Sequence, residues 1–282
     1  MKETLVSIVL LTKNAGKEFV KTLEAISRQD VDFPFEIIVL DSGSTDGTLE
    51  LSGKYDARIY RIPPAEFNFG LTRNHGFSLA SGDFIVTISQ DVVPFDKSWL
   101  EKMVSPFLTD KNVVAVQGKT VVPGKSEVFY WEKKGFFYFT SESRNWIEKY
   151  KCGLSFVNCA VRRDFWEKHQ LGSIPFSEDK VFQKMIHDSG MDIYVAKDAI
   201  CFHGHQYSFK SLIDRLKNEG VGWRTAGVRY GLKDCLSDIY DNKWMIRNGF
   251  GGWMKGEIQT TQELLFPILR PVCICWGNSK PI

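Results

Sequence analysis

The chain has 282 residues, of which 43% are hydrophobic and 25% charged, with a formal net charge of +2. Those values are ordinary for a globular protein, and the small net charge predicts no general affinity for nucleic acid. At this length about 75% of the unfolded surface is buried on folding, which is enough for one large α/β domain or a domain with appendages.

The first half of the chain alternates predicted strands with predicted helices. Between the predicted strands, apolar residues recur at helical spacing, for example Phe19, Leu23 and Ile26. This alternation predicts an α/β fold with a doubly wound, mostly parallel sheet, in which ligands bind beyond the carboxyl ends of the strands. The predicted strands are LVSIVLL (5–11), FEIIVLD (35–41), RIYRI (58–62) and FIVTIS (84–89), and the other predicted helices span 71–79 and 99–107.

Three polar residues follow the ends of three different strands, namely Thr12, Asp41 and Asp91. A carboxylate at the boundary of a core, such as Asp91, needs a pairing group or a cation. Asp41 is placed to accept a hydrogen bond from a base imide N–H, and Gly43 allows close approach. The alternative is a turn before a helix capped by Asp46, which is compatible with the first interpretation. LDSGSTDGT lacks the G-x-G-x-x-G spacing of a dinucleotide-binding loop.

The second half is less regular. Strands are predicted at 113–123, 156–163 and 192–205, and the last of these ends in two histidines. The aromatic segment 127–139 is predicted to be a helix packed over the site. Residues 206–282 are predicted to be mainly helical, with glycine-rich breaks at 249–252 and prolines at 267 and 271.

Several motifs occur in a characteristic order, namely VSIVLLTKN, IIVLDSGSTDGT, FNFGLTRN, SQDVVP, SEDKVFQKM and VAKDAICFHGHQYSFKSLIDR. The first four resemble the N-terminal half of inverting family 2 glycosyltransferases with the GT-A fold. FNFGLTRN and SQDVVP most resemble the branch of rhamnosyltransferases that builds bacterial surface polysaccharide, and the last two motifs resemble the second half of the same branch. The resemblance spans about residues 4 to 230.

The resemblance implies a metal-dependent, inverting transfer of a sugar, with L-rhamnose expected. The donor would be a nucleotide-diphosphate sugar and the acceptor a glycan or lipid-linked saccharide. It implies a catalytic domain over residues 1–205, with a nucleotide-sugar-binding half (1–123) and an acceptor-binding half (124–205). Residues 206–282 would form a C-terminal helical extension.

The resemblance also implies a metal site. The family's D-x-D motif corresponds here to Ser89-Gln90-Asp91, so the first acid is absent. Asp91 and His203 are the expected ligands of Mg²⁺ or Mn²⁺, an ion that neutralises the diphosphate leaving group. Gln90 matches a variant of the motif in the rhamnosyltransferase branch and is expected to contact the donor. A structural role for His203 stays open, and His205 is the weaker ligand candidate.

The other donor contacts are expected from Arg73, Thr12 and Asn14. Arg73 matches the family's arginine near the nucleotide, where a guanidinium suits base or phosphate contacts. The alternative for Arg73 is an ion pair with Asp83. Thr12 and Asn14 are expected to frame the base.

Asp179 matches the acid of the family's E-D motif and is the expected general base, at the start of a predicted helix over 180–187. The alternative is an N-cap role for Asp179 with Glu178 as a surface acid. Glu178 is otherwise expected to position the acceptor or the base.

Two other classes of function are alternatives for this sequence. A nucleotidyltransferase is disfavoured because no N-terminal G-x-G-T-R-L-like phosphate loop is present. A non-catalytic sugar-nucleotide-binding or scaffolding subunit is the second alternative, although Asp91, Arg73 and Asp179 occurring together argue against it.

Features of the whole chain predict its location. The six cysteines form no C-x-x-C pair, which indicates reduced, mostly buried thiols in the cytoplasm. The apolar run 5–11 lacks a signal-peptide cleavage site. The sequence contains no uninterrupted stretch of about 18 apolar residues, so no membrane-spanning helix is predicted. Residues 203–282 hold eleven Lys and Arg against seven Asp and Glu, mixed with Trp and Phe. Peripheral contact with the inner face of the membrane and a plain core-packing role both fit this segment, and a homo-oligomer is possible.

Overall fold

The computed structural model describes residues 5–124, 128–135 and 139–280. Its contacts divide the chain into two compact units. The first unit contains the chain up to Val121 together with Leu154–His203, and the second contains Val122–Gly153 together with the chain from Gly204 onward. The predicted extension began at residue 206, close to the second boundary. The predicted acceptor-binding half (124–205) is divided between the two units, because residues 122–153 belong to the second unit.

The first unit is built on one sheet of eight strands in the order β3-β2-β1-β4-β7-β6-β8-β5. The pairs β1–β2, β1–β4, β2–β3 and β6–β8 are parallel, whereas β7 runs antiparallel to β4 and β6, and β5 antiparallel to β8. The predicted α/β class is confirmed, as is each predicted strand; the two-residue β5 was not predicted. The strands are β1 (Val6–Thr12), β2 (Phe35–Asp41), β3 (Arg58–Arg61), β4 (Phe84–Ile88), β5 (Val93–Pro94), β6 (Val113–Val121), β7 (Asn158–Arg162) and β8 (Asp192–Phe202).

Helices cover both faces of this sheet, and each face has its own apolar core. Successive residues of a strand point to opposite faces, so Ile8 and Val9 belong to different cores. The core of Ile8 includes residues of the helices at 19–27 and 99–109, and the core of Val9 includes residues of those at 69–78, 163–168 and 178–188. The α-helices within the described residues are α1 (Phe19–Ser27), α2 (Thr48–Gly53), α3 (Phe69–Ser78), α4 (Trp99–Thr109), α5 (Tyr130–Lys133), α6 (Ser141–Tyr150), α7 (Arg163–Lys168), α8 (Glu178–Asp188), α9 (Phe209–Thr225), α10 (Leu232–Asp241), α11 (Lys243–Met254) and α12 (Thr261–Ser279).

The second unit is helical and has its own aromatic core. Phe129, Tyr130, Trp131 and Phe139 pack against residues of α9, α11 and α12, including the fully buried Phe266. The prediction of one helix over 127–139 is wrong for most of the segment's described residues, because only Tyr130–Lys133 (α5) is helical among them. Residues 127 and 136–138 of that segment lie outside the described residues. The aromatic segment therefore supplies much of the second unit's core.

The predicted glycine-rich break at 249–252 is wrong, since α11 runs through it without interruption. A Cβ on Gly249 would lie 3.3 Å from Cζ2 of Trp131, and one on Gly252 would lie 3.2 Å from the hydroxyl of Tyr130. These glycines allow the helix to approach the aromatic core closely, and that packing outweighs their low helix propensity. Helix α12 likewise continues through the buried Pro267 and Pro271.

The six cysteines are free thiols, and five of them are buried, which confirms the prediction from their spacing. Among the described residues, no helix has both the length and the apolar character needed to cross a bilayer.

Candidate active site

Asp41 ends β2 directly opposite Thr12, the last residue of β1. Its carboxylate is 1% exposed and accepts four hydrogen bonds. One oxygen accepts from the backbone N–H groups of Gly43 (2.9 Å) and Ser44 (2.8 Å), and the other accepts from the hydroxyls of Thr12 (3.1 Å) and Ser44. A carboxylate has about four acceptor sites, so Asp41 is saturated by its own loop together with Thr12. A contact to a nucleotide base requires one hydroxyl to turn away.

The loops after β1 and β2 are joined by side-chain hydrogen bonds. The backbone N–H of Asn14 donates to the Ser44 hydroxyl (2.7 Å), and the Asn14 side-chain oxygen accepts from the Thr45 N–H (2.8 Å). Asp46 accepts from the Gly16 N–H (2.8 Å). Hydrogen bonds led by that from the Thr48 hydroxyl lower the pKa of Asp46. This pair of loops is therefore joined by its own hydrogen bonds.

Gln90 joins the end of β4 to the same loop. Its side-chain oxygen accepts from the Lys13 N–H (2.9 Å) and its amide nitrogen donates to the Lys13 carbonyl (3.3 Å). The Gln90 carbonyl accepts from the buried Thr22 hydroxyl of α1 (3.1 Å). Both ends of the amide are thus occupied within the protein. The predicted contact between Gln90 and the donor stays a prediction.

Asp91 and His203 lie together at the carboxyl edge of the sheet. The pairing of β5 with β8 places Val93 opposite Phe202, and it brings the Asp91 carboxylate to 3.6 Å from Nε2 of His203. The His203 N–H donates to the Val121 carbonyl at 3.0 Å, which fixes the backbone at the end of β8. Both side chains present ligand atoms suited to a divalent cation.

His205 belongs to the second unit, where Glu132 holds it. One Glu132 oxygen accepts from the His205 N–H (2.7 Å), and the other accepts from the Tyr207 hydroxyl (2.8 Å) and lies 3.6 Å from Nδ1 of His205. Burial alone would raise the pKa of Glu132, but hydrogen bonds from His205 and Tyr207 hold that pKa below its ordinary value.

Arg73 forms a buried ion pair with Glu178, and neither side chain is more than 8% exposed. Its Nη2 and Nε donate to one Glu178 oxygen, at 2.9 and 3.3 Å, and Nη1 donates to the Thr87 hydroxyl at 2.6 Å. The guanidinium also lies over the Phe156 ring, 4.8 Å from its centre. The carboxylate partner of Arg73 is therefore Glu178 rather than Asp83. Its predicted contact with the nucleotide stays a prediction.

The rest of the FNFGLTRN motif (67–74) fastens the segment 171–174, which leads to Glu178. The Asn68 side-chain oxygen caps α3 and also accepts from the Ile174 N–H (3.0 Å), while Asn74 bonds both backbone groups of Leu171. A Cβ on Gly70 would collide with the Gly172 carbonyl. Sequence reasoning missed these roles of Asn68, Gly70 and Asn74, although one asparagine just before a helix and another beside Arg73 were a signal.

Asp179 is the second residue of α8, which begins at Glu178, two residues earlier than predicted. The N-cap residue is Ser177, so the alternative of Asp179 as N-cap does not hold. Ser177 adopts a left-handed conformation (φ 60°), which is costly for a residue with a Cβ and is often found at functional sites. The Lys180 ammonium lies 4.0 Å from the Asp179 carboxylate and donates to the Leu154 carbonyl.

Glu178 and Asp179 are adjacent acids in different surroundings. Burial raises the pKa of Glu178; Arg73 opposes this effect and the neighbouring Asp179 adds to it. Glu178 is 5% exposed, whereas the Asp179 side chain is partly open to solvent at 18%. Asp179 is thus the acid of the pair that solvent reaches more readily, as a proton acceptor for a bound molecule requires.

Comparison with known proteins identifies the family. The model of glycosyl transferase family 2 matches residues 7–169, more than half of the chain. The chain belongs to this family. The glycosyltransferase is 30% identical over 76% of its length to the O-antigen chain rhamnosyltransferase WbaN of Salmonella anatum, covering 71% of that protein. It is 26% identical over 77% of its length to RfbN of Salmonella typhimurium, again covering 71%.

Solved structures show the same fold. Glucosyl-3-phosphoglycerate synthase from Mycobacterium tuberculosis, in complex with Mn²⁺, UDP and glucosyl-3-phosphoglycerate, matches with a TM-score of 0.56 and 19% identity. The match covers 80% of this glycosyltransferase and 81% of that chain. The predicted family and GT-A fold are therefore confirmed.

The buried pair generates a stability prediction. Glu178→Gln leaves the Arg73 guanidinium buried without a counter-charge, which should lower the free energy of unfolding by about 3 kcal/mol. The matched control is Glu167→Gln, which breaks the Arg163–Glu167 pair (3.0 Å) on the half-exposed face of α7. It should cost less than about 1 kcal/mol. Urea unfolding at pH 8 measures both changes, and equal losses would contradict the proposed importance of the buried pair.

Proposed function

We propose that this glycosyltransferase moves a sugar, with L-rhamnose expected, from a nucleotide-diphosphate donor to a glycan or lipid-linked saccharide, with inversion. The observation that carries the proposal is the hydrogen-bonded chain Thr87–Arg73–Glu178, which ties the helix bearing Asp179 to β4, the strand that leads to Asp91. The two O-antigen chain rhamnosyltransferases support the sugar and the class of product.

Asp91 and His203 would hold the divalent cation. Two ligands each about 2.1 Å from one ion can lie up to about 4.2 Å apart, and the observed separation of 3.6 Å fits that limit. The carboxylate suits both Mg²⁺ and Mn²⁺, and phosphate oxygens of the donor and water would supply the remaining ligands. The ion would neutralise the charge that develops on the leaving diphosphate.

The donor nucleotide would bind at the interlocked loops after β1 and β2. Thr12, Asn14 and Gly43 would frame the base, and Asp41 would accept its imide N–H once the Ser44 hydroxyl turns away. Gln90 would act through the Lys13 backbone, which it clamps on both sides. Because these loops are already ordered by their own hydrogen bonds, little conformational entropy is lost when the donor binds.

Asp179 would be the general base of a single displacement. It would take the proton of the acceptor hydroxyl as that oxygen attacks the anomeric carbon and the bond to the diphosphate breaks. Glu178, held by Arg73, would position Asp179 at the start of α8. Transfer in one such step inverts the anomeric configuration. Action in the cytoplasm and self-association stay predictions, as does an acceptor-binding role for residues 124–205.

Asp91→Asn should abolish the contribution of metal to donor binding while leaving the fold intact. Thermal shift with UDP, dTDP or GDP, each with and without Mn²⁺, measures the effect. A ligand at 100 times its dissociation constant adds about 2.7 kcal/mol of stability, and the variant should lose the part that depends on Mn²⁺. Asp188→Asn, at the end of α8, is the control and should respond as the unmodified protein does. An unchanged metal response in Asp91→Asn would exclude Asp91 as a ligand.

Asp179→Asn should lower turnover by about 10² or more, because the amide keeps the shape but cannot take the proton. Donor affinity should change little. Asp164→Asn, the second residue of α7 as Asp179 is of α8, is the matched control and should keep its turnover. Near-normal turnover in Asp179→Asn would transfer the role to another acid, and a product with retained configuration, seen by NMR, would exclude the mechanism.

A further inference from the structure

The last three helices of the second unit expose most of the large apolar side chains that are exposed in the described residues. Of eighteen such side chains, twelve lie between Leu232 and Trp276. Scattered exposed apolar residues are normal, but a concentration of this kind indicates an interaction surface. Helix α11 is the part of this region where exposed apolar residues occur with cations and without acids, whereas α10 contains three aspartates.

Helix α11 has two distinct faces. Met245, Gly249 and Gly252, at positions i, i+4 and i+7, face inward, and the two glycines approach Trp131 and Tyr130. The outward face has the same i, i+4 and i+7 spacing, shifted by one residue to Ile246, Phe250 and Trp253. Its apolar members are Ile246, Phe250, Trp253 and Met254, which are 39%, 57%, 51% and 69% exposed.

The charges on α11 have one sign. Lys243 and Arg247 lie at helical spacing from the exposed Phe250, and Lys255 directly follows the helix; all three are exposed. Residues 243–255 contain no Asp or Glu. The Lys243 ammonium lies over the ring of the exposed Tyr240, 4.5 Å from its centre, so this cation and an aromatic ring share one exposed surface.

We propose that the outward face of α11 (Lys243, Ile246, Arg247, Phe250, Trp253 and Met254) binds the surface of a bilayer that contains anionic lipid. A helix with aromatic residues on one face and only cations among its charges is typical of helices that lie in the lipid interface. The twelve residues of α11 extend about 18 Å, which suits a position along the surface.

A second copy of the chain is the competing occupant. In a two-fold dimer each patch meets its own copy, so the cations of one α11 would face those of the other. The helix offers no acid to pair with them. An anionic surface satisfies these charges, and the apolar residues between them enter the boundary of the acyl chains.

Flotation of the full chain with vesicles tests the proposal. Vesicles of 30% phosphatidylglycerol in phosphatidylcholine should retain the protein at 0.1 M NaCl, and pure phosphatidylcholine should retain much less. Removing the charges in Lys243→Gln/Arg247→Gln should weaken partitioning by about fivefold per cation, or about 25-fold. Phe250→Ser/Trp253→Ser should reduce binding by more than tenfold. Circular dichroism verifies that each variant is folded.

The matched control is Phe95→Ser in the first unit, because Phe95 and Phe250 are each 57% exposed. This variant should bind vesicles as the unmodified chain does. Equal retention of the Phe250→Ser/Trp253→Ser variant would overturn the proposal, as would equal binding to charged and neutral vesicles. Absence of vesicle binding together with a dimer that the same double variant dissociates would assign the face to a second copy instead.

Discussion

The arrangement of the site depends on one buried ion pair, between Arg73 and Glu178. A buried pair of this kind adds little net stability, because removing both charges from water costs about as much as their attraction returns. Its effect is geometric: the guanidinium has fixed donor directions, and three of its nitrogens bond Glu178 and Thr87. These bonds fix the positions of helix α3, strand β4 and the first residue of α8 relative to one another. Asp179 follows Glu178 directly, so the position of the proposed base depends on this pair.

The proposed donor site is likewise held together by hydrogen bonds within the protein. Asn14, Ser44 and Gln90 join three loops at the carboxyl edge of the sheet, and Asp41 is saturated by its own loop and by Thr12. A nucleotide bound as proposed would replace one of these hydroxyls. A site that is ordered in advance binds with less loss of entropy and holds the reacting groups more precisely.

Local sequence signals predicted the parts of the fold that depend on local properties. Buried strands were recognised from their apolar runs, and Thr12, Asp41 and Asp91 were placed correctly at strand ends because parallel strands end at one edge. The partner of Arg73 lies 105 residues away, and no periodicity indicates a contact at that separation. The two residues of β5 are too few to show a pattern. Gly249 and Gly252 led to the wrong prediction of a helix break. They are needed for close approach to aromatic rings, and that tertiary contact cannot be read from the local sequence.

The central claim is that the buried pair positions the base, and replacing both partners tests it most directly. Apolar residues in the variant Arg73→Met/Glu178→Leu leave no unpaired buried charge, so the free energy of unfolding should stay within about 2 kcal/mol of the original. Turnover should still fall by about 10², because the start of α8 loses its anchor and a displacement of about 1 Å has that effect. Calorimetry with the donor nucleotide, run in parallel, distinguishes a loss of positioning from a loss of the predicted contact between Arg73 and the nucleotide, because only the second lowers donor affinity. A stable double variant with undiminished turnover would contradict the account.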